Sequence, residues 1–109
     1  MASIQQARKA LIDRVTTGDG KASKDHRNTA FDGGGPEGAK ALIEKVAKHA
    51  YKVTDEDIAA AKAAGFTEDQ IFELVVCAAI GQANRQLDSA LAALDEATKG
   101  VGDAALGAR

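Results

Sequence analysis

Residues 71–94 read IFELVVCAAIGQANRQLDSALAAL, and their pattern decides the fold. On a helical wheel turned at about 100° per residue, the apolar side chains of Ile71–Ile80 point in nearly every direction, with Glu73 the one charge. A helix that is apolar all round is one buried on all sides. After Gly81 the pattern narrows. Ala83, Leu87, Ala90, Leu91 and Leu94 form a single stripe, while Gln82, Arg85, Gln86 and Asp88 lie elsewhere. The first half therefore reads as a central helix and the second as a surface helix.

Upstream, local signals divide the chain into further helices. Thr67 opens the long helix with a capping-box pattern, Thr-Glu-Asp-Gln, whose Gln70 stands at the third helical position. Gly65 is the expected C-terminal residue of the preceding helix, which starts at Thr54 with three acids in its first turn, where the helix dipole favours them. Before that, residues 36–52, PEGAKALIEKVAKHAYK, place Ala39, Leu42, Ile43, Val46 and Ala50 at helical spacing, with Pro36 in the first turn. Ser23 caps a short helix over SKDHRNTAF, stopped by the glycines of DGGG, residues 32–35. Residues 4–15 form the first helix, with Ser3 as its N-cap and Ala7, Leu11 and Val15 on one face. The long helix is expected to run to about Lys99 and close at Gly100.

No segment reads as a strand. The fold class is all-α, a compact bundle of four to five helices forming one domain over residues 1–100, with 101–109 as a flexible tail. The 109-residue chain is long enough for one domain. Its aromatic content of 4% requires an aliphatic core. A domain this small has trouble enclosing so apolar a helix alone, which points to a homo-oligomer in which other subunits supply the cover.

The composition excludes several functions. A net charge of −2, with both signs interspersed and no basic run, argues against a nucleic-acid partner or an electrostatic membrane anchor. No apolar stretch approaches the ~18 residues of a membrane span, and the N-terminus lacks the apolar core of a secretory signal. A single cysteine cannot form an internal disulfide, so a reducing compartment, the cytoplasm, is expected. GDGKAS, residues 18–23, lacks the spacing and preceding strand of a phosphate loop. Two histidines and one cysteine without close ligand spacing exclude a structural zinc site, and no cofactor is implied.

Three residues remain as candidates for chemistry: Glu73, His49 and Tyr51. Glu73 lies on the wheel beside Ile80 and Leu91, facing protein, and a buried carboxylate needs a partner or a raised pKa. It is either a general acid/base or ligand-binding group, or one half of a structural pair with an Arg, a His or another subunit. His49, at the edge of its helix stripe with Tyr51 nearby, is placed to join Glu73 across a helix interface, an arrangement suited to proton transfer. The bland reading is that His49 hydrogen-bonds a neighbour. His26, in KDHRN, is expected in solvent. Cys77 has Val75, Val76, Ala78 and Ala79 around it and Glu73 one turn away, which raises a thiol pKa and makes Cys77 a core residue.

Residues 37–95, and above all the AAGFTEDQI turn into a long helix with an early acid, resemble the carboxymuconolactone decarboxylase-like and alkylhydroperoxidase D-like proteins. The resemblance implies an all-α fold that assembles as trimers or hexamers. Peroxidase members carry a glutamate, a C-x-x-C pair twelve and fifteen residues on, and a histidine four further. With Glu73 on that glutamate, those positions hold Arg85, Asp88 and Ala92, so only the acid matches. A thiol peroxidase of this kind also needs a resolving cysteine, which this chain lacks. The expectation is a member without the dithiol site, acting as an oligomeric small-molecule-binding or accessory subunit of a redox or metabolic system, with a protein partner or a small-molecule ligand. The alternatives are a cofactor-independent acid–base enzyme of decarboxylase or isomerase type using Glu73, and a one-cysteine antioxidant protein.

Overall fold

The computed structural model describes the backbone of residues 2–108 and the side chains of residues 3–99. Five α-helices follow one another: α1 (Ala2–Thr17), α2 (Lys24–Phe31), α3 (Lys40–Lys48), α4 (Asp55–Ala63) and α5 (Glu68–Ala108), with a 3₁₀ turn at Ala50–Lys52. No strand occurs among the described residues. The all-α reading therefore holds at the level of helix content and number.

The local caps form as their residue types dictate. Ser23 accepts from the His26 amide at 3.0 Å. Thr54 and Asp57 close a reciprocal capping box at the start of α4. Thr67 and Gln70 do the same for α5, at 2.9 and 3.1 Å. Gly65, at φ 102°, ends α4 in a Schellman turn, with Phe66 N–H donating to Ala61 O and Gly65 N–H to Lys62 O.

Three boundaries differ from the sequence reading. Ser3 lies inside α1, which begins at Ala2 and extends two residues further than expected, to Thr17. Pro36 is in a turn, and α3 starts only at Lys40, because Gly38 takes φ 92°, outside helical space, as it passes against Ala64. The same helix stops at Lys48, where His49 turns to φ −147°, ψ 58°. Finally, α5 does not close at Gly100; its backbone is helical to Ala108, and Arg109 lies outside the described residues.

α1 to α4 gather around the first half of α5. Leu42, Ile43, Ala61, Ile71, Leu74, Cys77 and Ala78 form the centre of an aliphatic core, flanked by Val15, Phe31, Val46, Phe66 and Val75. The closest approach is between α2 and α5. A Cβ on Gly81 would fall inside the Phe31 carbonyl group, so only glycine lets the end of α2 sit there. Arg85, one turn on, donates to the same carbonyl oxygen at 2.6 Å.

The rest of α5 projects. A 41-residue helix is about 60 Å long, and the molecule measures 66 × 29 × 16 Å. The radius of gyration, 18.1 Å, exceeds the ~13 Å of a globular chain of this length for that reason. All described side chains from Gln86 to Lys99 are exposed.

The first half of α5 is buried on one side, not on all sides. Ile71, Leu74, Cys77, Ala78 and Gly81 face the bundle, while Phe72 is 68% exposed. On the wheel, Phe72, Val76, Ala79, Ile80, Ala83, Leu87, Ala90, Leu91 and Leu94 share an arc of about 120° centred away from the buried face. This apolar stripe is continuous along both halves of α5.

Candidate functional site

The connection between α1 and α2, residues 18–23, folds over the start of α5. α1 ends at Thr17, so its last carbonyl groups lack helical partners. Gly18 N–H serves Arg14 O, and the Val15 carbonyl oxygen receives two side chains: Cys77 S–H at 3.1 Å and Arg27 Nη1 at 3.4 Å. A cation at a helix C-terminus also meets the negative end of the dipole. Cys77 and Arg27 thus cap α1 together.

Glu73 binds the connection itself. Lys21 N–H donates to Oε1 at 2.9 Å and to Oε2 at 2.8 Å, and Ala22 N–H donates to Oε1 at 3.0 Å. Gln70, one turn earlier, donates from Nε2 to Lys21 O at 3.2 Å. Gly20 is required for this approach: a Cβ there would lie 2.5 Å from Glu73 Oε1 and 3.3 Å from Arg27 Nη1. The backbone amides of GDGKAS do make an anion cradle, and the anion they hold is the chain's own carboxylate.

The electrostatics follow from these contacts. Burial alone pushes the Glu73 carboxyl up, but the amides of Ala22 and Lys21, with the charges of Arg27 and Lys21, outweigh it and hold the group below its ordinary value of 4.5. Glu73 is therefore ionised at neutral pH and has no proton to donate. Burial pushes the Cys77 thiol up, the Arg27 charge offsets part of that, and Glu73 adds to the rise. A protonated thiol that is 1% exposed is neither a ready nucleophile nor a metal ligand.

A cleft of about 160 Å³ opens beside this network, lined by Arg14, Val15, Asp19, Arg27, Phe72, Glu73 and Val76. Arg27 is only 4% exposed, and its Nε has no hydrogen-bond partner in the protein. Neither Arg27 nor the 18–22 amides were candidates in the sequence. The available signal for Arg27 was a lone arginine on the face of α2 that carries Ala30 and Phe31, set against a lone acid in the apolar part of α5.

His49 and Tyr51 do not join Glu73. His49 terminates α3 in an exposed position and lines a separate depression with Ala41, Glu44, Lys45 and Lys48. The 3₁₀ turn carries Tyr51 outward, where it is 81% exposed and meets the His49 ring edge-on at 6.0 Å. The structure thus pairs these two with each other and gives Glu73 different partners. His26 is half-buried against the Phe66 ring, at 5.7 Å, rather than in solvent.

Among the described residues, no group of three or more His, Cys, Asp or Glu side chains is placed to hold a metal ion, and no helix is long and apolar enough to cross a membrane. Compared with protein-family models, curated proteins and solved structures, the chain has no match.

Proposed function

We propose that the chain is a homo-oligomeric relative of the carboxymuconolactone decarboxylase-like and alkylhydroperoxidase D-like proteins that lacks the dithiol site and serves as a small-molecule-binding or accessory subunit. The observation that carries the reading is the apolar stripe of α5. It combines Phe72, Leu87, Leu91 and Leu94, at 40–68% exposure, with small residues at Ala79, Ala83 and Ala90. An unpaired chain exposing such a stripe is incomplete.

The stripe has an internal period. Phe72, Val76 and Ala79 recur eleven residues later as Ala83, Leu87 and Ala90, and Leu94 begins a third round. An eleven-residue repeat, about 3.67 residues per turn, keeps a seam on one side of a nearly straight helix. That is the seam one helix needs to pack along another. Ile4 and Leu11 of α1 add exposed apolar surface, and α1 packs beside α5 through Arg8, which bonds Asn84 Oδ1 at 2.8 Å and pairs with Asp88.

The binding or accessory role, as opposed to catalysis, is supported by how the polar groups are employed. Glu73 is saturated by backbone amides, Cys77 is protonated and buried, and Arg85 is occupied by the end of α2. A general acid at neutral pH requires a raised carboxyl pKa, and that of Glu73 is lowered.

Sedimentation velocity tests the assembly. The wild-type chain should sediment as a trimer or hexamer of 11.2 kDa protomers, and Leu87→Lys with Leu94→Lys should give a folded monomer with unchanged far-ultraviolet circular dichroism. A wild-type chain that stays monomeric at high concentration overturns the reading.

A further inference from the structure

The cleft between α1, the 18–22 connection and α5 carries a charge that the protein leaves largely unanswered. Arg27 has five N–H donors. One reaches Val15 O at a long 3.4 Å, and the buried Nε reaches no protein acceptor. No carboxylate oxygen lies within 4.0 Å of its guanidinium among the described residues. Glu73 acts on it only from further away, and both Glu73 oxygens already accept backbone N–H groups. A guanidinium removed from water and short of acceptors is costly unless something completes its hydrogen bonding.

The lining of the cleft describes what would do so. Arg14 supplies a second guanidinium. Val15, Val76 and the exposed ring of Phe72 supply an apolar wall. Asp19 and Glu73 balance the two arginines, so the lining is neutral overall and admits one negative charge more readily than two. At 160 Å³ the space is well below the ~300–1,000 Å³ of drug-sized sites, so the occupant is only a few heavy atoms.

We propose that this cleft binds a small monocarboxylate with a short apolar body. Because Nε itself is sealed inside the protein, the Nη1 and Nη2 edge of the Arg27 guanidinium takes the carboxylate in two parallel bonds, a geometry that suits a carboxylate in particular, and the adjoining Nε–H reports the change. Arg14 adds long-range attraction at the mouth, and Phe72 and Val76 hold the hydrocarbon. Asp19 sets an upper limit on the negative charge the ligand brings.

This inference gives a ligand class to the binding role proposed above and rests on it. The test uses the full-length, ¹⁵N-labelled protein and follows the Arg27 Nε–H resonance during titration with sodium butyrate at constant ionic strength. The result expected is a saturable shift in the millimolar range, several-fold weaker in Phe72→Ala and several-fold tighter in Asp19→Asn. Both substitutions are at exposed side chains, so the fold survives them; Phe72 also lies on the α5 seam, so the Phe72→Ala affinity is read at the same sedimenting species as the wild type. A shift that grows linearly without saturating overturns the proposal. So does inorganic phosphate or 1-butanol moving the same resonance as effectively, or indifference of the affinity to both substitutions. Sedimentation of the same samples separates the two readings. An oligomer that ignores butyrate overturns the ligand proposal alone, and a monomer that binds it overturns the assembly alone.

Discussion

Replacing Glu73 by Gln tests whether this residue is an anchor. Glutamine keeps the shape and one acceptor oxygen, so the Lys21 and Ala22 amides at 2.9 and 3.0 Å can still be served. Two bonds change from charge-assisted to neutral, at about 1 kcal/mol each. The 2.8 Å contact at Oε2 is replaced by an NH₂ group facing the Lys21 N–H, donor against donor. Arg27 also loses its counter-charge. Removing one partner of a fully buried pair costs about 3–5 kcal/mol; because Glu73 is half-buried and beyond ion-pair distance, about 1 kcal/mol is appropriate here. Before the donor clash is counted these terms come to about 3 kcal/mol, so the loss is at least that, or a fall in Tm of roughly 12–20 °C or more for a domain of this size.

The assay is urea unfolding of both proteins at one fixed protomer concentration, since assembly feeds into apparent stability. It is repeated at several pH values. Glu73 has a folded-state pKa below its ordinary value of 4.5, so its contribution is complete above 4.5 and is lost as pH falls through the lower folded value. Glutamine does not titrate. The gap between the two proteins should therefore be full at neutral pH and close in acid. Asp57 and Glu68 also titrate low, through Lys45 and Lys62 respectively, but they are common to both proteins and cancel in the difference. A gap below about 0.5 kcal/mol at neutral pH, the scale of an ordinary surface substitution, would refute the anchor.

Gly81→Ala should destabilise by about 2 kcal/mol or more in the same assay: alanine gains ~1 kcal/mol of helix propensity, but its Cβ must push the Phe31 backbone off α5. A neutral or stabilising outcome would mean that the end of α2 does not pack against α5 at Gly81. Cys77 should react with iodoacetamide only as fast as the protein opens, because the thiol is buried and its pKa raised. Rapid alkylation of the native protein, at the rate of a free thiol, would restore the one-cysteine antioxidant reading.

What was legible in the sequence was local. Ser23, Thr54, Thr67 with Gln70, and Gly65 act on amides and carbonyls within five residues, so the residue type alone marks the cap. Pro36 misled because the α3 boundary is set by Gly38 passing Ala64, a contact between segments 26 positions apart. Glu73 stood out as the lone charge in an apolar run, yet its partners did not. They are main-chain N–H groups, which every residue possesses and no pattern flags. The pairing of Glu73 with His49 failed because the chain leaves α3 at His49, which with the 3₁₀ turn faces outward, a matter of chain direction that periodicity does not encode. The apolar character of α5 was correctly read, but a wheel does not say which apolar side chains the chain itself covers.

The distribution of large side chains links the anchor to the proposed assembly. The largest fully buried residues are Leu42, Ile43, Leu74 and Cys77, and the remainder of the buried core is mostly alanine. Alanine buries little area, and hydrophobic stabilisation scales with area at about 25 cal/mol per Å². A core of this kind leaves the α1–α2 connection weakly held by apolar contact, and polar contacts take over: Glu73 on two amides, Gln70 on Lys21 O, and Cys77 with Arg27 on Val15 O. Meanwhile Ile4, Leu11, Phe72, Leu87, Leu91 and Leu94 lie outside. The chain thus uses small residues to bring its own helices close and reserves its large ones for a surface that α5 carries beyond the bundle. In the assembly proposed above, a second copy would cover this leucine-rich exterior, and folding and assembly would then draw on the same helix.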